Sequence, residues 1–136
     1  AQKRKIPTLS QPKLKSLERE VTKLCKVNKV ELIVLAGFMR LLTPGFVKKW
    51  EKKIINIHPS LLPSFKGAQA IEQAYDYGVK YTGVTVHYVD KGMDTGSIIA
   101  QEVVPIKKSD TLASLEEKIH KVEHKLYPNT IRELLK

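Results

Sequence analysis

"KIINIHPSLLPSFKG", residues 53–67, is the stretch on which the fold turns. Its first half, through Ile54, Ile55 and Ile57, is the apolar run of a buried strand. Its second half carries Pro59 and Pro63, which cannot donate to a sheet, so the strand must stop and give way to a fixed loop. At the junction stand an amide, Asn56, and an imidazole, His58. Two apart on a strand, they share one face. Strand ends are where α/β proteins bind and react. The tight Leu62-Pro63 connection between this strand and the next helix is expected to be cis.

The pattern extends outward in both directions. Upstream, "VELIVLAG" (30–37) is a near-continuous apolar run closed by glycine, which predicts a strand buried on both faces. Before it, Leu14, Leu17, Val21, Leu24 and Val27 recur at helical spacing and predict an amphipathic helix over 14–28. "IPTLS" (6–10) reads as a short strand. Thr43-Pro44 is a cap residue followed by proline at the first helical position, so a helix is expected from there to about Lys52. Downstream, a helix over 68–77 should stop at Gly78. "TGVTVHYV" (82–89) and "SIIAQEVVPI" (97–106) read as a strand pair joined by "DKGMDTG". Asp110 or Thr111 should cap a long last helix, with a kink expected at Pro128.

This order predicts an α/β fold: a mostly parallel sheet with an antiparallel edge, helices on both faces, and one domain over residues 1–136. Ligands in such sheets sit outside the carboxyl ends of the strands. "GFMRLL", "NIHPSLLP" and "DKGMDTG" follow three of the strands and are expected to meet at one crevice.

Composition narrows the class. The 136 residues are 42% hydrophobic and 28% charged, as in a globular domain with a core of its own. No apolar run approaches the roughly 20 residues of a membrane span, so no membrane partner is expected. The first residues, "AQKRKIPTLSQPK", lack the apolar centre of a secretory signal, and Cys25 has no second cysteine to pair with; a cytoplasmic protein is expected. Net charge is +10, and residues 1–29 hold nine Lys and Arg against Glu18 and Glu20. Such a face can attract phosphate, carboxylates or nucleic acid, although a solvated lysine-rich helix is the plainer reading. No zinc-finger spacing or aromatic-basic motif accompanies it, so no nucleic-acid partner is expected.

Three side chains can carry chemistry together. His58 suits proton transfer near neutral pH. The Asn56 amide can donate to a developing oxyanion. Asp94, in a loop bounded by Gly92 and Gly96, can bend over them, and a carboxylate beside an imidazole favours its protonated form. Together they would suit acyl transfer, although residues of these types are more often structural. His120 and His124 are four apart on a helix, but the Glu of HExxH and a third ligand are missing, so no metal is expected. His87 can face either the site or a hydrogen-bonded core. Cys25 should pack as a small apolar residue.

Four blocks in order, "VELIVLAGFMRLLTPGFV", "INIHPSLLPSFKG", "GVKYTGVTVHYVDKGMDTGSIIAQEVVPI" and "EHKLYP", resemble the glycinamide ribonucleotide formyltransferase family over about residues 6–130. Methionyl-tRNA formyltransferases share the SLLP loop, and formyltetrahydrofolate deformylases are nearer, but both differ in the first and last blocks. The resemblance implies a Rossmann-like formyltransferase fold. It implies transfer of formyl from 10-formyltetrahydrofolate to the amine of glycinamide ribonucleotide, in purine synthesis and without a metal. It assigns catalysis to Asn56, His58 and Asp94. It assigns folate contacts to Met39, Arg40, Leu41, Leu42 and Asn56, and to Asp90, Lys91, Gly92, Met93 and Asp94. It places Pro59, His120 and Glu123 at the nucleotide substrate.

The chain also departs from that family. The family opens with a strand, a Gly-Ser-Asn loop and a helix whose start holds the substrate phosphate. No such segment is found here, so the domain is expected to lack an N-terminal βαβ unit of roughly 30 residues. "VELIVLAG" would then show an unpaired apolar edge open to self-association. Three alternatives to a full enzyme follow. They are a weakly active or non-catalytic folate-binding remnant, another folate-dependent formyltransferase or deformylase, and, more distantly, a polyanion-binding module.

Overall fold

The computed structural model describes residues 13–38 and 40–136; the expected strand at 6–10 and the expected folate contact at Met39 lie outside the described residues. The described chain runs α1 (Leu14–Asn28), β1 (Ile33–Leu35), α2 (Pro44–Lys49), β2 (Ile54–His58), α3 (Ala70–Tyr77), β3 (Tyr81–Tyr88), β4 (Ile98–Pro105) and α4 (Leu112–Leu134). Every element expected from residue 14 onward is present.

The sheet order is β1-β2-β3-β4, with β1 parallel to β2 and the other two pairings antiparallel. The α/β class and the antiparallel edge hold; among the described residues the antiparallel part takes two of the three pairings. The cause lies in the connection at 59–80. It starts at the carboxyl end of β2, where the Thr85 hydroxyl donates to the Ser60 carbonyl and accepts from the Leu62 N–H. β3 therefore sets out beside His58 and runs back along β2.

β2 is the strand buried on both faces. Ile54, 1% exposed, packs with Phe46 and Val47 of α2 and with Leu14 and Val21 of α1. Its neighbour Ile55, fully buried, packs on the opposite face with Val86 and with Tyr127 of α4. Helices thus cover both faces, as expected. The two-sided burial expected of "VELIVLAG" is not seen: β1 is three residues long, and Val34 is 40% exposed. Among the described residues β1 has a neighbour on one side only, so it leaves an open edge.

Local chemistry sets the helix ends. Thr43 caps α2, with Pro44 at its first position, and α2 closes at Lys49 rather than Lys52. Gly78, at φ +86°, ends α3 in the left-handed conformation that glycine adopts without strain. Thr111, not Asp110, caps α4: its hydroxyl accepts from the Ser114 N–H, and the Ser114 hydroxyl accepts from the Thr111 N–H. α4 continues through Pro128 to Leu134. Just before that proline, the Tyr127 hydroxyl donates to the Leu35 carbonyl at 2.5 Å, tying α4 to the end of β1. Burial pushes the Tyr127 phenol well above its ordinary range. Among the described residues no helix is long and apolar enough to cross a membrane.

Candidate active site

The register of β2 against β3 builds the site. Asn56 lies beside His87, and His58 beside Thr85. Cross-strand neighbours point to the same face, so amide, two imidazoles and hydroxyl stand together. On the other flank, Leu35 of β1 is in register with Asn56, which brings the segment after β1 to the same level. A cleft of about 320 Å³ opens there.

The loop after β3 reaches the cleft by an unexpected route. β3 is antiparallel, so this loop leaves from the amino-end side of β2, where the Val89 N–H donates to the Ile54 carbonyl. It then doubles back across the sheet face. Gly96 permits the fold: a Cβ there would stand 1.6 Å from the Tyr88 carbonyl oxygen. Asp90 braces the loop from inside, accepting from the Gly92 N–H at 2.9 Å and the Thr95 hydroxyl at 2.6 Å. Asp94, at φ +57°, holds the left-handed conformation costly for a non-glycine residue.

That conformation delivers a buried carboxylate between two rings. Asp94 Oδ2 accepts from the Gly67 N–H at 2.8 Å and lies 3.4 Å from His58 Nδ1. Oδ1 lies 3.6 Å from His87 Nε2. The other nitrogen of each ring faces a carbonyl, which can only accept: His58 Nε2 donates to Phe65 O at 2.8 Å, and His87 Nδ1 to Tyr88 O at 3.0 Å. Both rings are therefore oriented by backbone and turned to one carboxylate. His87 Nε2 is buried with no hydrogen-bond partner among the described residues.

The 59–67 loop is fixed as tightly. The Leu62-Pro63 bond is cis, as expected. The Thr85 hydroxyl, fully buried, also accepts from the Gln101 side chain at 3.0 Å, and that same amide donates to Leu62 O. The Ser60 hydroxyl donates to Ser64 O. Phe65, whose carbonyl holds His58, itself sits at φ +52°. Asn56 differs from all of these: its half-buried amide lines the cleft and has no hydrogen-bond partner among the described residues.

The remaining expected residues separate. Arg40, Leu41, Leu42, Pro59, Asp90, Gly92, Met93, His120 and Glu123 line the cleft with the central three. Lys91 is exposed in the same loop and does not line it. Burial raises Glu123 above the ordinary carboxylate range, opposed by the nearby His120, His124 and His58. Sequence reasoning left His87 undecided and did not single out Thr85 or Gln101. The alternation along β3 was the available signal, since it puts His87 and Thr85 on one face. A second, more open concavity between α1 and α2 is lined by Arg19, Lys23, Lys26 and Lys49 and contains none of the site residues.

Known proteins resemble both chain and geometry. The family model described as "Formyl transferase" matches residues 2–131. A phosphoribosylglycinamide formyltransferase of Bacillus subtilis is 52% identical over 120 residues, covering 88% of this chain and 62% of that protein. The human trifunctional purine biosynthetic protein adenosine-3 is 52% identical over 103 residues, 76% of this chain and 10% of that much longer protein. The chain thus spans less than two thirds of these relatives. In structure it is similar to phosphoribosylglycinamide formyltransferase from Bacillus halodurans, with TM-score 0.88, 50% identity, and coverage of 98% of this chain and 72% of the other. Glycinamide ribonucleotide transformylase 1 from Geobacillus kaustophilus aligns with TM-score 0.85 and 53% identity over 93% of this chain and 67% of the other. With a family match across nearly its whole length and a Rossmann-like α/β fold in common with solved members, the chain belongs to the formyl transferase family.

Proposed function

We propose that the cleft transfers a formyl group from 10-formyltetrahydrofolate to the amine of glycinamide ribonucleotide. The observation that carries this reading is the meeting of Asn56, His58 and Asp94: a free amide donor beside an imidazole whose second nitrogen faces a buried carboxylate. Formyl transfer needs these parts. The amine attacks the formyl carbon, and the carbonyl oxygen gains negative charge. The Asn56 amide donates to that oxygen. The C–N10 bond then breaks, N10 takes a proton, and the attacking nitrogen loses one. His58, oriented by Phe65 and faced by Asp94, handles those protons. The overall change is redox-neutral and consumes no water.

Two walls divide the substrates. Arg40, Leu41 and Leu42, with Met93 opposite, suit the flat pterin and benzoyl parts of the co-substrate. Pro59, His120 and Glu123 suit the nucleotide end, with the carboxylate accepting from ribose hydroxyls. The names of the relatives support the same pairing of activity and substrate. The test is formyl transfer by the 136-residue chain with both substrates, followed at the folate product. Turnover abolished by His58→Ala supports the reading. Binding of the folate with no transfer at any concentration of the amine would refute it and leave a folate-binding domain.

A further inference from the structure

Glu18 belongs to α1, outside the cleft, yet its carboxylate is buried, 8% exposed. Both of its oxygens are taken by one residue 25 positions on. The Thr43 N–H donates to Oε2 at 2.8 Å, and the Thr43 hydroxyl donates to Oε1 at 2.7 Å. The hydroxyl has one proton, and Glu18 receives it. Its lone pairs are then turned to the Phe46 N–H, which completes the cap of α2 at 3.4 Å.

Thr43 directly follows the strip that walls one side of the cleft. Adjacent residues of that strip have opposite fates. Both border the cleft, but Leu42, 8% exposed, also packs into the core with Phe46, Val47 and Ile54, whereas Leu41 is 49% exposed. A slip of one residue would exchange them. Fixing the backbone N–H and side chain of Thr43 together is what holds that register.

We propose that Glu18 is a positioning residue: it locks residues 40–42 in register at the cleft wall and so sets affinity for the folate co-substrate, without touching the reacting atoms. The role rests on the folate reading given above. Glu18→Gln keeps the shape but removes the charge: its oxygen can still accept from the Thr43 N–H, while its NH₂ forces the Thr43 hydroxyl to turn from donor to acceptor, so both bonds to Thr43 lose their charge assistance. Thr43→Ser keeps both bonds.

Calorimetric titration with 10-formyltetrahydrofolate tests this. Glu18→Gln should weaken binding about tenfold, and Thr43→Ser should stay within about twofold of the parent. In turnover the folate KM should rise by the same factor with kcat unchanged. Amide hydrogen exchange should quicken over 40–43 and not over 85–88, a pattern that general loss of stability would not give. Should Glu18→Gln fail to fold, Thr43→Val, which keeps the N–H bond to Glu18 but loses the hydroxyl's bond to Glu18 and its cap on α2, should raise the folate Kd at least about threefold. Equal affinity in parent and variant, or a fall in kcat at constant KM, overturns the role of Glu18 alone. No binding by the parent overturns the folate reading and this role with it.

Discussion

Two carboxylates in loops of similar kind are treated in opposite ways. Asp110, in the turn before α4, accepts from the Lys107 N–H at 2.8 Å, from Lys118 Nζ at 2.6 Å and from the Ser114 hydroxyl at 2.8 Å. Its oxygens are saturated, and Lys118 first, then the Lys107 amide and Ser114, hold its acid at about 2. Asp94, in the turn before β4, has one short bond, from Gly67, and two longer approaches to imidazoles. It also bears a left-handed backbone that Asp110 is spared. A carboxylate that serves only the fold can take every donor within reach. Asp94, in the catalytic role proposed for it, keeps capacity in reserve, and its loop carries strain to put it there.

Breaking that contrast should have its largest effect at Asp94. Asp94→Asn preserves shape and the Gly67 bond but removes the charge between the rings. In formyl transfer it should cost orders of magnitude in kcat/KM, as should His58→Ala. The double variant should be little worse than either single one, because the two act as a unit. Losses that multiply would mean that Asp94 acts independently of His58. The urea midpoint of Asp94→Asn should move little, since the parent gains one short hydrogen bond from this group and the amide retains it.

The next effect is on the scaffold that holds His58. Thr85→Val removes a fully buried hydroxyl that serves the Ser60 carbonyl, the Leu62 N–H and the Gln101 amide. Leaving buried polar groups unpaired costs ~1–3 kcal/mol each, so a loss of about 2–4 kcal/mol in urea denaturation is expected after partial repair. Turnover should fall as well, because the Phe65 carbonyl that orients His58 belongs to the same loop. A loss below about 0.5 kcal/mol would mean that water replaces the hydroxyl without strain.

How far the site could be read from sequence follows the same division between local and folded-back chemistry. The strand at Ile54, the Thr43-Pro44 helix start, the Gly78 stop and the hairpin were legible because each depends on a few adjacent residues. The family blocks carried Asn56, His58 and Asp94, which the fold brings to one cleft, with Asp94 Oδ2 3.4 Å from His58 Nδ1. The direction of β3 was not legible, since it depends on where the 59–80 connection deposits the chain. Thr85 and Gln101 were missed for a related reason. A threonine and a glutamine in strands look ordinary until cross-strand register places them under one loop. "VELIVLAG" carried two opposed expectations: its apolar run pointed to burial on both faces, which Val34 at 40% exposed does not show, while the departure from the family pointed to an open edge, and β1 has a neighbour on a single side among the described residues.

Asp110→Asn sharpens the comparison from the structural side. Formyl transfer should be unchanged, since the residue lies outside the cleft. The effect should appear in acid. The folded value of about 2 lies below the ordinary 3.8, so the folded state binds this proton later than the unfolded chain. The stability it contributes is present above about pH 4 and is lost as pH falls toward 2. The parent should therefore lose stability more steeply than the variant over that window, with the two converging at its acid end. Parallel curves would mean that Lys118 and Ser114 hold the turn without the charge.

Glu123 reverses that sign and has the smallest expected effect. It lines the cleft, at the end proposed for the nucleotide, and burial raises it above the ordinary 4.5, with His120, His124 and His58 pulling the other way. The folded state therefore keeps its proton to a higher pH than the unfolded chain. As pH rises from the ordinary value to the raised one, the unfolded chain ionises first, and stability falls. Glu123→Gln cannot ionise and should escape that loss. Urea midpoints should coincide at about pH 4, below the ordinary value, and the variant should be the more stable by pH 7, by a few tenths of a kcal/mol at a half-buried position. The nucleotide site should show the opposite trend, because a charged carboxylate accepts from ribose hydroxyls more strongly than an amide. If the parent instead gains stability over this range, the three histidines outweigh burial, and Glu123 is an ion-pairing residue like Asp110 rather than a reserve group like Asp94.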